Sequence, residues 1–143
     1  MKIRFSQAPA KNFPDRKLLR TCLEETAQKH NFSIRLLQYV FVSDEELLEM
    51  NRDFLAHDYY TDIITFDLSE IEGEIEGEIY ISRDRVRENA ANAKVTIEDE
   101  FCRVIAHGLL HLCGLKDKSK EEQVLMRESE DAFIKQFRQK TVS

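Results

Sequence analysis

The chain lacks the material for a disulfide framework. Its three cysteines, Cys22, Cys102 and Cys113, form an odd, sparse set without paired spacing, which points to a reducing compartment. Each reads as a small buried hydrophobe. Proline is scarce: the two prolines, Pro9 and Pro14, both sit near the start. No repeat, low-complexity tract or linker is visible, and 143 residues fit one domain spanning 1–143. Long apolar runs are missing too. Residues 1–10 lack the apolar core of a signal peptide. The longest nearly apolar stretch, residues 104–115, is interrupted by two histidines. It is too short to cross a bilayer and reads as a buried helix. A soluble cytoplasmic protein with no membrane partner is the expectation. Positive charge is also in deficit. A formal net charge of −6 argues against non-specific nucleic-acid binding through the whole surface and leaves room for a local basic cleft. Basic side chains do gather between Arg83 and Lys120, but acids are interleaved with them.

What is present is regular patterning. Residues 2–6 alternate and predict a short strand. Asp15 can cap a helix to about His30, with Leu18, Leu19, Cys22, Leu23 and Ala27 on one stripe. Residues 32–42 are rich in β-branched and aromatic side chains and predict a strand. Ser43 with Glu46 has capping-box spacing for a helix carrying Leu47, Leu48, Met50, Phe54 and Leu55. Residues 61–68 and 74–81 predict two strands, and the short Glu/Gly-rich link between them suggests an antiparallel hairpin. Ser82 caps a helix to about Lys94. Thr96, followed by Glu98, Asp99 and Glu100, opens another with acids at its positive end. That helix ends near Gly114, and a charged helix follows over residues 119–138. The order β-α-β-α-β-β-α-α-α predicts an α+β fold, a small mixed sheet of about four strands with helices packed on it.

The informative stretch is His107-Gly108-Leu109-Leu110-His111-Leu112-Cys113-Gly114-Leu115-Lys116-Asp117. On a helix, His107 and His111 lie one turn apart on the same face and can converge on one ion. Gly114 can end the helix and let the chain return, bringing Asp117 to the same place. Two histidines and a carboxylate leave a fourth position for water, the pattern of a catalytic zinc site. Burying two imidazoles among Val104, Ile105, Leu109, Leu110 and Leu112 without partners would be costly, and a metal offsets that cost. The spacing matches the H-x-x-x-H-x-x-G-x-x-H layout of metzincin peptidases with Asp in the third place. Gly108, however, occupies the position where H-E-x-x-H peptidases carry their Glu general base. Another carboxylate, or the ion itself, must make up for it. Cys113 lies well around the helix from His111 and is excluded as a ligand.

These residues resemble the YbeY family of bacterial endoribonucleases. The resemblance rests on His107-Gly108, Leu110-His111-Leu112 and Gly114. It is extended by Asn51, Asp58, Thr61-Asp62-Ile63-Ile64 and Phe66, by Gly77-Glu78-Ile79 with Ile81-Ser82, and less specifically by Met126 and Glu130. It implies a metal-dependent hydrolase cleaving single-stranded RNA and acting in 16S rRNA maturation and ribosome quality control. Ribosomal RNA and the small ribosomal subunit would then be partners, with one Zn2+ per chain. Nickel or iron(II) would also suit the donor set. Two positions depart from the family: Asp117 stands where it usually has a histidine, and Leu55 where it usually has an arginine. Leucine cannot bind phosphate.

No catalytic side chain is assigned beyond activation of water by the ion. Arg103 and His57 are candidate phosphate contacts; the competing reading makes Arg103 a partner of Asp99 or Glu100 and His57 an exposed loop residue. Arg83 and Arg87 could steer RNA or simply face solvent. Thr61 and Asp62 could line the cleft or provide turn chemistry before a strand. Other functions remain open: a non-catalytic ribosome-assembly factor, which Leu55 favours, and a metallopeptidase, which Gly108 opposes. Asp117 is the position to test. Asp117→Ala is expected to lose metal affinity, because only the two histidines would remain. A metal titration showing full occupancy in that variant, with a change in thermal stability alone, would reduce Asp117 to a turn residue.

Overall fold

A computed structural model describes residues 2–142; Met1 and Ser143, which the expected domain includes, lie outside the described residues. The elements are β1 (Ile3–Ser6), α1 (Arg16–Lys29), β2 (Ser33–Val42), α2 (Asp44–Leu55), β3 (Ile63–Asp67), β4 (Glu74–Ser82), α3 (Arg83–Ala93), α4 (Ile97–Leu112) and α5 (Lys120–Thr141). Five helices and a four-stranded mixed sheet make an α+β fold. The helix starts follow the caps expected from the sequence at Asp15, Ser43, Ser82 and Thr96, and Ser119, expected as the first residue of the last helix, is a cap as well; each accepts a backbone N–H from the first turn. Capping boxes close at Ser43–Glu46 and at Ser119–Glu122. Such caps satisfy donors that a helix start would otherwise leave unpaired.

The strand order is β1-β2-β4-β3. β1, β2 and β4 run parallel, and β3 pairs antiparallel with β4 as the expected hairpin. β3 begins at Ile63, two residues later than the pattern suggested, because Thr61 is irregular and the chain bends at Asp62 before it joins the sheet. One face of the sheet carries the main core: Leu37, Tyr39 and Phe41 from β2 and Ile75, Ile79 and Ile81 from β4 pack against α1, α4 and α5. The other face carries a smaller cluster in which Leu47 of α2 meets Val42 and Ile64. The apolar stripe of α2 is shorter than expected. Leu47 and Leu48 are buried, but Phe54 and Leu55 at its end stay exposed.

α4 is the central helix, and ten of its residues are buried. It sits close to β4 because two glycines remove side chains at the contact. A Cβ on Gly108 would stand 2.7 Å from Ile79 Cδ1 and 3.2 Å from Ile63 Cδ1, and one on Gly77 would stand 2.8 Å from Leu112 Cδ1. Tyr39 adds a buried hydrogen bond, its hydroxyl donating to the Ile105 carbonyl at 2.8 Å. Because the Gly108 side of α4 is pressed into the sheet, the His107 and His111 side turns toward the outside of the layer.

The cysteines behave as buried hydrophobes; all three are free and buried. Burial pushes the Cys22 thiol up to about 11 and the Cys113 thiol up to about 12. No helix among the described residues is long and apolar enough to cross a membrane. The tight seat of Gly108 generates a prediction. Gly108→Glu, which would recreate the peptidase-type motif, forces a carboxylate into apolar packing and should cost several kcal/mol. Urea unfolding is expected to show a large fall in midpoint. An unchanged midpoint would mean that the helix can move off the sheet at little cost.

Candidate metal centre

His107 and His111 stand on one face of α4, their rings 4.5 Å apart and nearly perpendicular. The chain leaves the helix through Cys113 as cap and Gly114 at φ +97°. That left-handed conformation suits glycine. The turn brings the Leu115 carbonyl beneath His111, whose Nδ1 lies 2.9 Å from it. Two residues further on, Asp117 Oδ2 comes to 3.4 Å from His107 Nε2 and 3.5 Å from His111 Nε2.

The tautomers follow from these contacts. A carbonyl oxygen only accepts, so His111 Nδ1 carries the proton and Nε2 keeps its lone pair. His107 Nδ1 lies 2.6 Å from Glu130 Oε2, a carboxylate that also accepts. Both imidazoles therefore present Nε2 to the side where Asp117 sits. The three ligand atoms all lie within 4.8 Å of one another. Atoms held about 2.0–2.1 Å from a tetrahedral ion stand roughly 3.3 Å apart. The donor set and its spacing thus fit a transition-metal ion such as zinc.

Glu130 is the residue that the sequence pattern undervalued. It is a buried acid on α5, in line with Met126, Phe133 and Phe137 of the same buried stripe. An acid at a core-facing position was the available signal. Its second oxygen accepts from Arg103 Nη1 at 3.0 Å, and Arg103 Nη2 donates to Asp131 at 2.7 Å. Arg103 therefore reaches the cleft, but its partners are on α5 rather than the expected Asp99 or Glu100; Asp99 pairs with Arg138. Burial pulls the His107 pKa down, but the Glu130 hydrogen bond and the charges of Glu130, Asp117 and Asp62 outweigh it, so the net shift is upward.

The site opens into a cleft of about 1070 Å³ between α4 and the edge strand β3. Thr61, Asp62, Thr65 and Leu55 line one side, and His107, His111 and Asp117 with Glu100, Arg103 and Glu130 line the other. Burial raises the Asp62 and Glu100 carboxyls above their ordinary range. His57 does not line the cleft. It lies exposed on the α2–β3 loop, stacked on Tyr59. Arg83 donates to the Phe41 carbonyl, and Arg87 faces solvent.

Fold and site together define a small α+β protein whose open cleft carries two histidines and a carboxylate, the donor set of catalytic metal hydrolases. Residues 2–138 match the family model described as endoribonuclease YbeY. The endoribonuclease YbeY of Cytophaga hutchinsonii is 59% identical over 116 residues, which cover 81% of each chain. That of Porphyromonas gingivalis strain W83 is 43% identical over 124 residues, 87% of this chain and 82% of that one. The solution structure of a Thermotoga maritima protein superposes with a TM-score of 0.61 at 31% identity, covering 94% of this chain and 88% of that one. This chain belongs to the endoribonuclease YbeY family, whose members are hydrolytic nucleases.

Glu130→Gln separates orientation from charge at His107. Losing the carboxylate behind a histidine ligand typically lowers metal affinity about 10- to 100-fold, and a competition titration with a chelator should show it. The metal-free protein offers a second readout. Because the folded pKa of His107 is raised, its stabilisation is fully present below the ordinary value of 6.5 and is lost as pH rises through the folded value. Melting temperatures at pH 6 and pH 8 should therefore differ less in Glu130→Gln than in the parent. Equal pH dependence in both would remove Glu130 as the cause.

Proposed function

We propose that the protein is a metal-dependent endoribonuclease of the cytoplasm, with residues 1–143 acting as one hydrolase domain on single-stranded RNA. In this reading His107, His111 and Asp117 hold one ion, zinc by preference. The substrate is 16S ribosomal RNA, met in maturation and quality control of the small ribosomal subunit. The observation that carries the reading is the pair of free Nε2 atoms facing Asp117 Oδ2 at 3.4 and 3.5 Å on the wall of an open cleft. When bound, the ion supplies Lewis-acid polarisation of a phosphoryl oxygen and lowers the pKa of water.

The chain's own side chains do the rest. Glu130 and the Leu115 carbonyl hold the two imidazoles in one tautomer and orientation. Gly108 has no room for a general-base side chain, so proton acceptance falls to a cleft carboxyl, with Asp62 and Glu100 the raised ones. Unpaired bases can be splayed into such a cleft, which favours a flexible single strand over a rigid duplex. Affinity for RNA should weaken as salt rises, because phosphate contacts release counterions.

A second reading has a specific observation behind it. Leu55 lines the cleft where the family usually has an arginine, and Arg103 is committed to Glu130 and Asp131. An RNA-binding assembly factor that does not cleave would have such a cleft. The deciding experiment strips the protein of metal, reloads it with zinc, and follows cleavage of single-stranded and duplex RNA of the same sequence. Metal-dependent cutting of the single strand supports the nuclease. Binding without cutting supports the assembly factor, and neither would sink both. Leu55→Arg is expected to raise cleavage roughly tenfold by adding a phosphate donor, measured as kcat/KM on the reloaded enzyme. No change would mean that phosphate contact at this position is not limiting.

A further inference from the structure

The cleft is short of free positive charge. Asp62, Glu100, Asp117 and Glu130 face it, while Arg103 is held by two acids and Arg127, though more exposed, lies 3.7 Å from Glu130, which leaves Lys118 as the exposed cation of its wall. One divalent ion would offset only part of that acid excess. Phosphate contacts alone are therefore a weak source of affinity for RNA here, and the remaining general source is stacking of bases on aromatic rings.

Such rings stand at the rim. The loop between α2 and β3 joins Leu55 to Thr61, both of which line the cleft. Within it His57 and Tyr59 stack with centroids 5.1 Å apart and planes 21° from parallel, and the Tyr59 hydroxyl lies 2.9 Å from His57 Nδ1. Tyr59 is 57% exposed, so its ring is open to a partner. The loop is pinned rather than slack. Asn51 is buried, its side chain donates to the Tyr59 carbonyl at 2.9 Å, and its carbonyl accepts from the His57 N–H at 3.0 Å. An exposed, flat, pre-ordered stack costs little entropy when a base lands on it.

We propose that the His57–Tyr59 stack is a base-binding platform, on which an unpaired base of the RNA strand entering the cleft stacks. This rests on the endoribonuclease reading and deepens it. Recognition at this rim is by the π-face of a base, which a duplex hides and a single strand offers. Single-strand preference then comes in part from this loop, and sequence preference at that nucleotide is weak.

The test uses the full chain and a short single-stranded RNA carrying 2-aminopurine at one position at a time. Binding is read in EDTA, and KM and kcat are read after reloading metal. Tyr59→Ala is expected to weaken binding about 5- to 100-fold, to raise KM with little change in kcat, and to abolish the quenching of 2-aminopurine at one nucleotide. Tyr59→Phe keeps the ring and should stay within about threefold of the parent, which separates stacking from loss of fold. The salt dependence should be unchanged in Tyr59→Ala but shallower in Lys118→Ala, since only the latter removes an exposed cation of the cleft wall. An abasic site at the quenched position should weaken the parent and leave Tyr59→Ala unaffected. Parent-like RNA affinity in Tyr59→Ala, or a loss carried by a shallower salt slope, overturns the platform while leaving the nuclease reading intact. A parent protein that neither binds nor cuts RNA overturns both.

Discussion

The contact between Gly108 and Ile79 sets the depth of the whole site. A helix packed on a sheet through ordinary side chains stands off by the length of those side chains, and α4 does not, because no Cβ intervenes at 108 or at 77. The neighbouring face of α4, which carries His107 and His111, then stands beside β3, so that one cleft takes lining from both. The same contact disfavours a general-base side chain at position 108, next to His107. Close packing and the chemistry open to the site are thus two results of one steric fact.

Polar chains then fix what the packing has brought near. His107 leans on Glu130, Glu130 on Arg103, and Arg103 on Asp131, tying α4 to α5. Burying such charges is expensive, and a buried ion pair seldom stabilises a fold more than an apolar contact of the same volume. Its retention here is better understood through orientation: Glu130 holds one imidazole with Nε2 toward Asp117. Among the described residues no buried side-chain polar atom lacks a hydrogen-bond partner. His111 reaches the same end more cheaply, through the Leu115 carbonyl that the Gly114 turn supplies.

The cleft that results is lined by acids on a chain that is acidic overall. Its rim, by contrast, exposes rings and Leu55 on a loop anchored by Asn51. This division separates a floor carrying the His107–His111–Asp117 cluster from a lip of exposed rings and Leu55.

Local order was legible in the chain itself. Caps at Asp15, Ser43, Ser82 and Thr96 and the hairpin of β3 and β4 all depend on neighbours within a few residues. The pairing of His107 with His111 was legible for the same reason, since one helical turn brings them together. The start of β3, the exposure of Phe54 and the partners of Arg103 were not legible, because each depends on elements distant in sequence. Only the tertiary structure brought Glu130 to His107 across 23 positions and aligned β3 with α4. Spacing along a chain encodes what one helix or one turn can reach; which helix lies behind a histidine is decided by the packing of the whole.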